Sequence, residues 1–213
     1  MKAKEIYDIL RAGGLSRAGA LGMLGNMNAE SSLIPNIAQR GMTNVSDVVY
    51  TAEVDEGKRN FEDSVGYGLC QWTFYSRKRA LLKFAKESGT SVGDGEMQVN
   101  FCLTELQKDY PKLFMFLCSS DNIDECSDRI CTDYECPAVN NFLTRRSFAH
   151  QFENDIKPKI DPVQATFPPN PSIKQIQYVM FDNGYLSVDK INGYKSKEFF
   201  DKLREFVDDM EGT

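Results

Sequence analysis

The sequence predicts a mainly α-helical protein with a small β or loop region, followed by a small helical module. Apolar residues recur at helical spacing through most of residues 1–156. Five of the eight prolines fall within residues 157–171. Because proline lacks the N–H group and fixes φ, this stretch is expected to be an extended linker. The predicted organisation is a domain at 1–156, a linker at 157–171 and a module at 172–213.

Three N-caps are predicted in the first domain, at Ser16, Thr73 and Asp94, because a short polar side chain accepts a hydrogen bond from the first turn. Residues 35–61 lack helical periodicity, and the β-type run at 48–51 predicts a loop or small hairpin across a cleft. The apolar pattern predicts helices at residues 3–12, 16–31, 74–87, 94–107, 111–118, 122–134 and 143–154.

The C-terminal module is predicted to contain two helices. Ser172 and Gln175 form a capping-box pattern that begins the first helix, and Gly184 ends it. Residues 185–193 are expected to form a loop, and the second helix is predicted at 196–209.

The composition argues against several classes of function. With 41% hydrophobic and 26% charged residues, the chain is typical of globular proteins. It has no apolar run of about 18 residues, so no membrane insertion is expected. The net charge of −6 argues against nucleic-acid binding and suits a polar, largely uncharged polymer such as a glycan. Residues 1–8 lack the apolar core of a Sec-type signal peptide.

The six cysteines do not predict a metal site. Cys126, Cys131 and Cys136 are separated by four residues each, whereas zinc sites usually show a two-residue spacing and a fourth ligand. Cys70, Cys102 and Cys118 lie among apolar neighbours and are expected to be small buried side chains. The sequence therefore predicts neither a metal nor another cofactor.

Glu30 is the strongest candidate for chemistry. It closes an apolar helix, and a Gly-rich, aromatic segment follows at 66–72. Cleavage of a glycoside needs one group that protonates the leaving oxygen and a second that stabilises the sugar cation or activates water. Apolar neighbours such as Met27 and Ala29 favour the protonated form of a carboxyl, so Glu30 is the predicted general acid. Asp63, three residues before the Gly-rich turn, is the predicted second carboxylate.

Three motifs together resemble those of the phage tail lysozyme family, which is related to goose-type lysozymes and lytic transglycosylases. They are Glu30-Ser31, the Gly-Leu-Cys-Gln element at 68–71, and the Tyr-Glu-Cys-Pro element at 134–137. The resemblance covers about residues 5–156. It implies an α-rich, lysozyme-like fold with a long glycan cleft. It also implies hydrolysis of the β-1,4 bond between N-acetylmuramic acid and N-acetylglucosamine. The residues expected to bind the substrate are Ser31, Tyr67, Gln71, Trp72, Tyr134 and Glu135.

The C-terminal module resembles, in a degraded form, the short peptidoglycan-binding module with two principal helices. That family shows an intact Val-Asp-Gly-x-Phe-Gly-Pro run, where this chain has Val-Asp-Lys-Ile-Asn-Gly-Tyr-Lys at 188–195. A tethered wall-binding module would raise the local concentration of substrate.

The leading functional prediction is a peptidoglycan muramidase, acting as an antimicrobial phage or prophage endolysin or as a tail-associated lysin. Its expected partner is the glycan strand, and no oligomeric state is predicted. It is expected in the host cytoplasm before release to the wall, or in the virion. The alternatives are a lytic transglycosylase, a non-catalytic wall-binding protein, and a Cys–His peptidase that pairs His150 with Cys136.

Overall fold

The computed structural model describes residues 1–156, 176–177, 180 and 197–211. The chain divides into two compact units, Met1–Ile156 and Lys157–Thr213. The predicted linker at 157–171 and the predicted loop at 185–193 lie outside the described residues, as does most of the module's predicted first helix.

Helices form most of the described structure, which confirms the mainly α class. The predicted helices of the first domain are present, although 122–134 is an α-helix followed by a six-residue π-helix. Their bounds are α1 (Ala3–Ala12), α2 (Arg17–Ser31), α3 (Asp47–Asp55), α4 (Tyr75–Ser88), α5 (Gly95–Asp109), α6 (Pro111–Ser119), α7 (Ile123–Arg129), π1 (Ile130–Glu135) and α8 (Phe142–Asp155). In the second unit, α9 (Lys197–Glu211) agrees with the predicted helix at 196–209 and buries Phe199 and Phe206.

The predicted β-type run at 48–51 is wrong, because these residues form the first turns of α3. Ser46 caps this helix by accepting a hydrogen bond from the Val49 N–H group. Tyr50 and Val54, four residues apart, are both fully buried. Burial of one helical face therefore outweighs the strand preference of the β-branched residues. Extended pairing in the described residues consists of two isolated bridges, which join Tyr67 to Ala38 and to Trp72.

Two of the three predicted N-caps are confirmed. Ser16 Oγ accepts from the Gly19 N–H group at 2.9 Å, and Asp94 Oδ1 accepts from Met97 at 2.8 Å. The predicted cap at Thr73 is wrong, because α4 begins one residue later, after Phe74. Thr73 and Phe74, next to this helix start, line the cleft described below.

Helix α2 is the central helix of the first unit and is buried along most of its length. Gly22 and Gly25 lie where neighbouring helices approach α2 closely. A Cβ atom at Gly22 would lie 2.9 Å from Cβ of Cys126 in α7, and one at Gly25 would lie 2.5 Å from the Arg145 carbonyl oxygen in α8. This close approach of α8 brings Arg145 to the end of α2, where Glu30 lies.

Candidate active site

A cleft of about 830 Å³ opens at the C-terminal end of α2. Its walls come from the end of α2, the segment 37–42, the turn 64–74, the first turn of α4 and the segment 135–138. This volume falls in the usual range for ligand sites, about 300–1,000 Å³. Of the eight predicted site residues, Glu30, Ser31, Gln71 and Glu135 line this cleft. The other four, Asp63, Tyr67, Trp72 and Tyr134, are not among its lining residues.

Glu30 is paired with an arginine rather than surrounded by apolar groups. Arg145 Nη2 lies 2.5 Å from Glu30 Oε1, and the Glu30 side chain is 20% exposed. Arg145 is itself buried and donates a second hydrogen bond, from Nη1 to Asn26 Oδ1 at 2.8 Å. Ala29, expected to shield the carboxyl, is exposed. A guanidinium in contact with a carboxyl group stabilises its ionised form, so the surroundings differ from those that the sequence predicted.

Ser31 joins two of the sequence motifs. Its Oγ donates to the Met27 carbonyl at 2.9 Å and to the Leu69 carbonyl at 3.0 Å. The second bond fastens the end of α2 to the Gly-rich turn. The Glu-Ser pair and the Gly-Leu-Cys-Gln element are therefore parts of one wall of the cleft.

Glu135 is the cleft carboxyl with the most perturbed surroundings. It ends π1, and its Oε1 atom is buried without a hydrogen-bond partner in the described part of the chain. Burial raises the pKa of Glu135 to about 8, and the charge of Glu30 adds to this rise, while Arg77 and Arg145 oppose it. A carboxyl in such surroundings holds its proton at neutral pH.

Unsatisfied polar atoms are concentrated here. Among the described residues, two buried side-chain polar atoms have no hydrogen-bond partner, Glu135 Oε1 and Arg145 Nε. One belongs to a residue that lines the cleft, and the other belongs to the arginine that binds Glu30. Buried polar atoms are almost always paired in folded proteins, so this coincidence makes the Glu30 end of the cleft the candidate functional site.

Backbone strain also lies at the cleft. Gln71 lines it in the left-handed region at φ 46°, and its Nε2 donates to the Gly68 carbonyl at 3.1 Å. Ser32, which follows the Glu30-Ser31 pair, and Cys136, which follows Glu135, line it with φ values of 53° and 47°. Non-glycine residues in this region cost about 1–3 kcal/mol each and are found preferentially at functional sites.

Trp72 and Tyr134, predicted to bind substrate, instead lie in the core and do not line the cleft. Both are buried and donate to Glu105 Oε2, Trp72 from Nε1 at 2.8 Å and Tyr134 from its hydroxyl at 2.7 Å. Arg77 donates to Glu105 from Nε at 2.9 Å and from Nη2 at 2.8 Å. These hydrogen bonds hold the Arg77 side chain at the cleft wall and fix the side chain of Tyr134, which precedes Glu135 in the chain.

Asp63, the predicted second carboxylate, is engaged in the core. It forms an ion pair with the fully buried Lys78 and accepts a hydrogen bond from the Tyr50 hydroxyl at 2.9 Å. Burial lowers the pKa of Lys78, and the Asp63 charge opposes that change. Tyr67 is also buried, with its hydroxyl 2.6 Å from Thr51 Oγ1. The structure therefore brings neither Asp63 nor Tyr67 to the cleft.

Sequence reasoning missed the cationic part of the site. The contact of Arg145 with Glu30 spans 115 residues of the chain. Arg77 lines the cleft and is half of a buried ion pair with Glu105. Phe74, 71% exposed on the cleft wall, was also missed. An exposed aromatic directly before a helix is a weak signal, and no local pattern predicts the two arginine contacts.

The described residues offer no metal-binding group of three or more His, Cys, Asp or Glu side chains. All six cysteines are free thiols. His150, the histidine of the peptidase alternative, has its ring nitrogens 2.8 Å from Asp124 and 3.0 Å from Glu153, and neither ring atom contacts a cysteine. No helix in the described part of the chain has the length and apolar character of a membrane span.

Comparison with known proteins identifies the family. The sequence profile of the phage tail lysozymes matches residues 1–155, which include every residue that lines the cleft. No curated protein matches the chain at a significant level. The match spans well over half of the 213 residues. The chain therefore belongs to the phage tail lysozyme family, whose lysozyme-like, peptidoglycan-lytic function it is expected to share.

Proposed function

We propose that the protein is a peptidoglycan muramidase that cleaves the β-1,4 bond between N-acetylmuramic acid and N-acetylglucosamine. It acts as a phage or prophage endolysin or as a tail-associated lysin. Before lysis it is held in the host cytoplasm or in the virion. The observation that carries the proposal is the presence of two carboxyl groups, Glu30 and Glu135, in one cleft of about 830 Å³.

The two carboxyls meet the chemical requirement of glycoside cleavage. One group must protonate the leaving oxygen, and the other must stabilise the positive sugar centre or activate water. Sequence motifs assign the general-acid role to Glu30, whose carboxyl would have to loosen its pairing with Arg145 in order to give a proton. Glu135 offers a second donor in the same cleft. Whether Glu30 or Glu135 protonates the leaving oxygen, Glu30 is a catalytic carboxyl and its loss abolishes cleavage.

Mass spectrometry of digested peptidoglycan tests this proposal. The wild type is expected to release fragments that end in a reducing N-acetylmuramic acid, and Glu30→Gln is expected to release none while keeping the wild-type circular dichroism spectrum. Fragments ending in an anhydro-muramic residue would instead identify a lytic transglycosylase. A wild type that binds walls but releases nothing would identify a non-catalytic wall-binding protein.

A further inference from the structure

We infer that Arg40 is a specificity-determining residue that binds a carboxylate carried by the N-acetylmuramic residue of the substrate. This inference rests on the proposed function and deepens it, because it names the charged group that the same cleft selects. Two observations support it. Arg40 lines the cleft without a side-chain partner among the described residues, and hydrogen bonds fasten its turn to the Gly-rich turn.

The charged side chains of the cleft leave one charge uncompensated. The cleft is lined by Glu30, Arg40, Arg77 and Glu135. Glu30 and Arg77 each form an ion pair with a side chain outside the lining, so their charges are balanced within the protein. Burial raises the pKa of Glu135 to about 8, and a carboxyl with this pKa is largely neutral at pH 7. Arg40 therefore gives the cleft a net positive charge.

The Arg40 side chain is available for a ligand. It is exposed, and its guanidinium has neither an ion-pair nor a hydrogen-bond partner among the described residues. Every other arginine of residues 1–156 donates a side-chain hydrogen bond to an oxygen atom of the protein. Arg40 thus differs from the arginines that serve the fold, and its donors face the cleft unused.

The turn that carries Arg40 has a defined geometry. The Met42 N–H group donates to the Gln39 carbonyl at 3.2 Å, and Gly41, the third residue of the turn, has a φ of 76°. A positive φ at this position is the requirement of a type II turn, and glycine meets it without strain. Arg40 is the second residue and lies at the tip of the turn.

Hydrogen bonds fasten this turn to the Gly-rich turn of the cleft. The Gln39 N–H group donates to the Gly66 carbonyl at 2.7 Å, and Gln39 Oε1 accepts from the Gly66 N–H group at 3.1 Å. The Gly68 N–H group donates to the Ile37 carbonyl at 2.9 Å. The backbone that presents Arg40 is therefore held in place, so binding mainly costs the ordering of one side chain.

Peptidoglycan carries the complementary charge on one of its two sugars. N-acetylmuramic acid bears a lactyl group on O3, whose carboxyl group is either free or joined to a stem peptide that has carboxylates of its own. Arginine binds a carboxylate through two parallel N–H bonds. N-acetylglucosamine has no such group. A contact with Arg40 therefore selects the muramic residue at this wall and favours the register in which one of the two alternating β-1,4 bonds reaches Glu30.

The overall charge of the chain makes this contact selective. The net charge is −6, so the protein as a whole repels an anionic polymer. A single uncompensated cation in the cleft attracts a carboxylate there and nowhere else along the cleft wall. Complementary charges of this kind contribute to specificity and register more than to affinity.

Four matched substrates test the inference. They are soluble peptidoglycan strands with stem peptides, the same strands after an amidase has removed the peptides, and a sample of each in which carbodiimide and methylamine have converted the carboxylates to neutral amides. Arg40→Gln is expected to raise KM about five-fold on strands with carboxylates, the upper value for an exposed ion pair, while kcat stays the same. On the amidated strands the variant and the wild type should have equal KM values.

Two further variants separate charge from geometry. Arg40→Lys keeps the charge but not the two-bond fork, and its KM should lie between those of the wild type and Arg40→Gln. Lys112→Gln is the matched control, because it removes one positive charge from α6, outside the cleft lining. It should leave KM unchanged on all four substrates.

The source of the carboxylate follows from the same data. An increase in KM confined to the peptide-free strands would support the inference and identify the lactyl group. An increase confined to the strands with peptides would support it and identify the stem peptide.

Several results would overturn the inference. They are an unchanged KM in Arg40→Gln, an equal increase on amidated strands, and an equal increase in Lys112→Gln. A wild type that cleaves none of the strands would reject the proposed function instead. Calorimetric titration with the same strands would then decide the Arg40 contact, because a Kd that is unchanged in Arg40→Gln would overturn it and a Kd raised only on strands with carboxylates would support it.

Discussion

Two carboxyl groups near Arg77, the buried Glu105 and the half-buried Glu135, differ in how their oxygens are satisfied. Glu105 accepts hydrogen bonds from Arg77, Trp72 and Tyr134 and is 5% exposed. Glu135, next to Tyr134 in the chain, keeps a buried oxygen without a partner. Glu105 serves the fold because its charge is fully compensated. Glu135 is left able to exchange a proton, which is a property of a reactive site rather than of a scaffold.

The largest expected effect comes from Glu105→Gln. The substitution leaves Arg77 and two buried donors without their anionic partner, and breaking a buried ion pair from one side typically costs about 3–5 kcal/mol. The free energy of unfolding, measured by urea denaturation at pH 7, should fall by this amount. Glu135→Gln is the control and should change it much less at pH 5. Equal losses in the two variants would remove the distinction between the two carboxyls.

The second effect is a pH dependence of stability that belongs to Glu135. Its pKa rises from 4.5 to about 8 on folding, so the folded state binds the proton more tightly than the unfolded state. The stabilisation is therefore complete below about pH 4.5 and is lost as the pH rises through about 8. Each pKa unit corresponds to about 1.4 kcal/mol.

The matched measurement compares the wild type with Glu135→Gln. Urea denaturation between pH 5 and pH 9 should show the variant gaining stability relative to the wild type by a few kcal/mol, at about 1.4 kcal/mol for each pKa unit. A constant difference across this range would mean that Glu135 is not protonated in the folded protein.

The third effect concerns Asp63, a carboxylate that does not line the cleft. Asp63→Asn leaves the buried ammonium of Lys78 without its counter-charge. Because Asp63 itself is 26% exposed, the expected cost is about 3 kcal/mol of stability, the lower end of the range for breaking a buried ion pair. At a temperature where the variant is fully folded, its kcat on peptidoglycan should equal that of the wild type. A loss of kcat as large as that of Glu30→Gln would show that Asp63 takes part in catalysis.

The smallest effect is expected at the rim of the cleft. Phe74 is exposed and lines the cleft, whereas the adjacent Tyr75 is 58% exposed and does not. Aromatic rings contribute about 0.5–1.5 kcal/mol through stacking, so Phe74→Ala should raise KM for peptidoglycan several-fold without changing kcat. Tyr75→Ala is the matched control and should leave both values unchanged. Equal effects on KM would indicate a general surface contribution.

Much of the fold could be predicted because its signals are local. Helical periodicity located the helices of the first domain apart from α3, and the short polar side chains of Ser16 and Asp94 located two of their starts. The run at 48–51 failed because strand preference is a weak signal compared with burial of Tyr50 and Val54 on one helical face. The glycines of α2 lie at close helix contacts, where only a residue without Cβ fits.

The sequence by itself determined that Glu30 ends a buried helix and that the motifs around it are those of the phage tail lysozymes. The tertiary structure alone decided the surroundings of each carboxyl. It placed Arg145 on Glu30 across 115 residues of chain, paired Asp63 with the buried Lys78, and buried one oxygen of Glu135. The physical reason is that proton affinity depends on burial and on nearby charges in space. Neighbours in the sequence do not determine either of them.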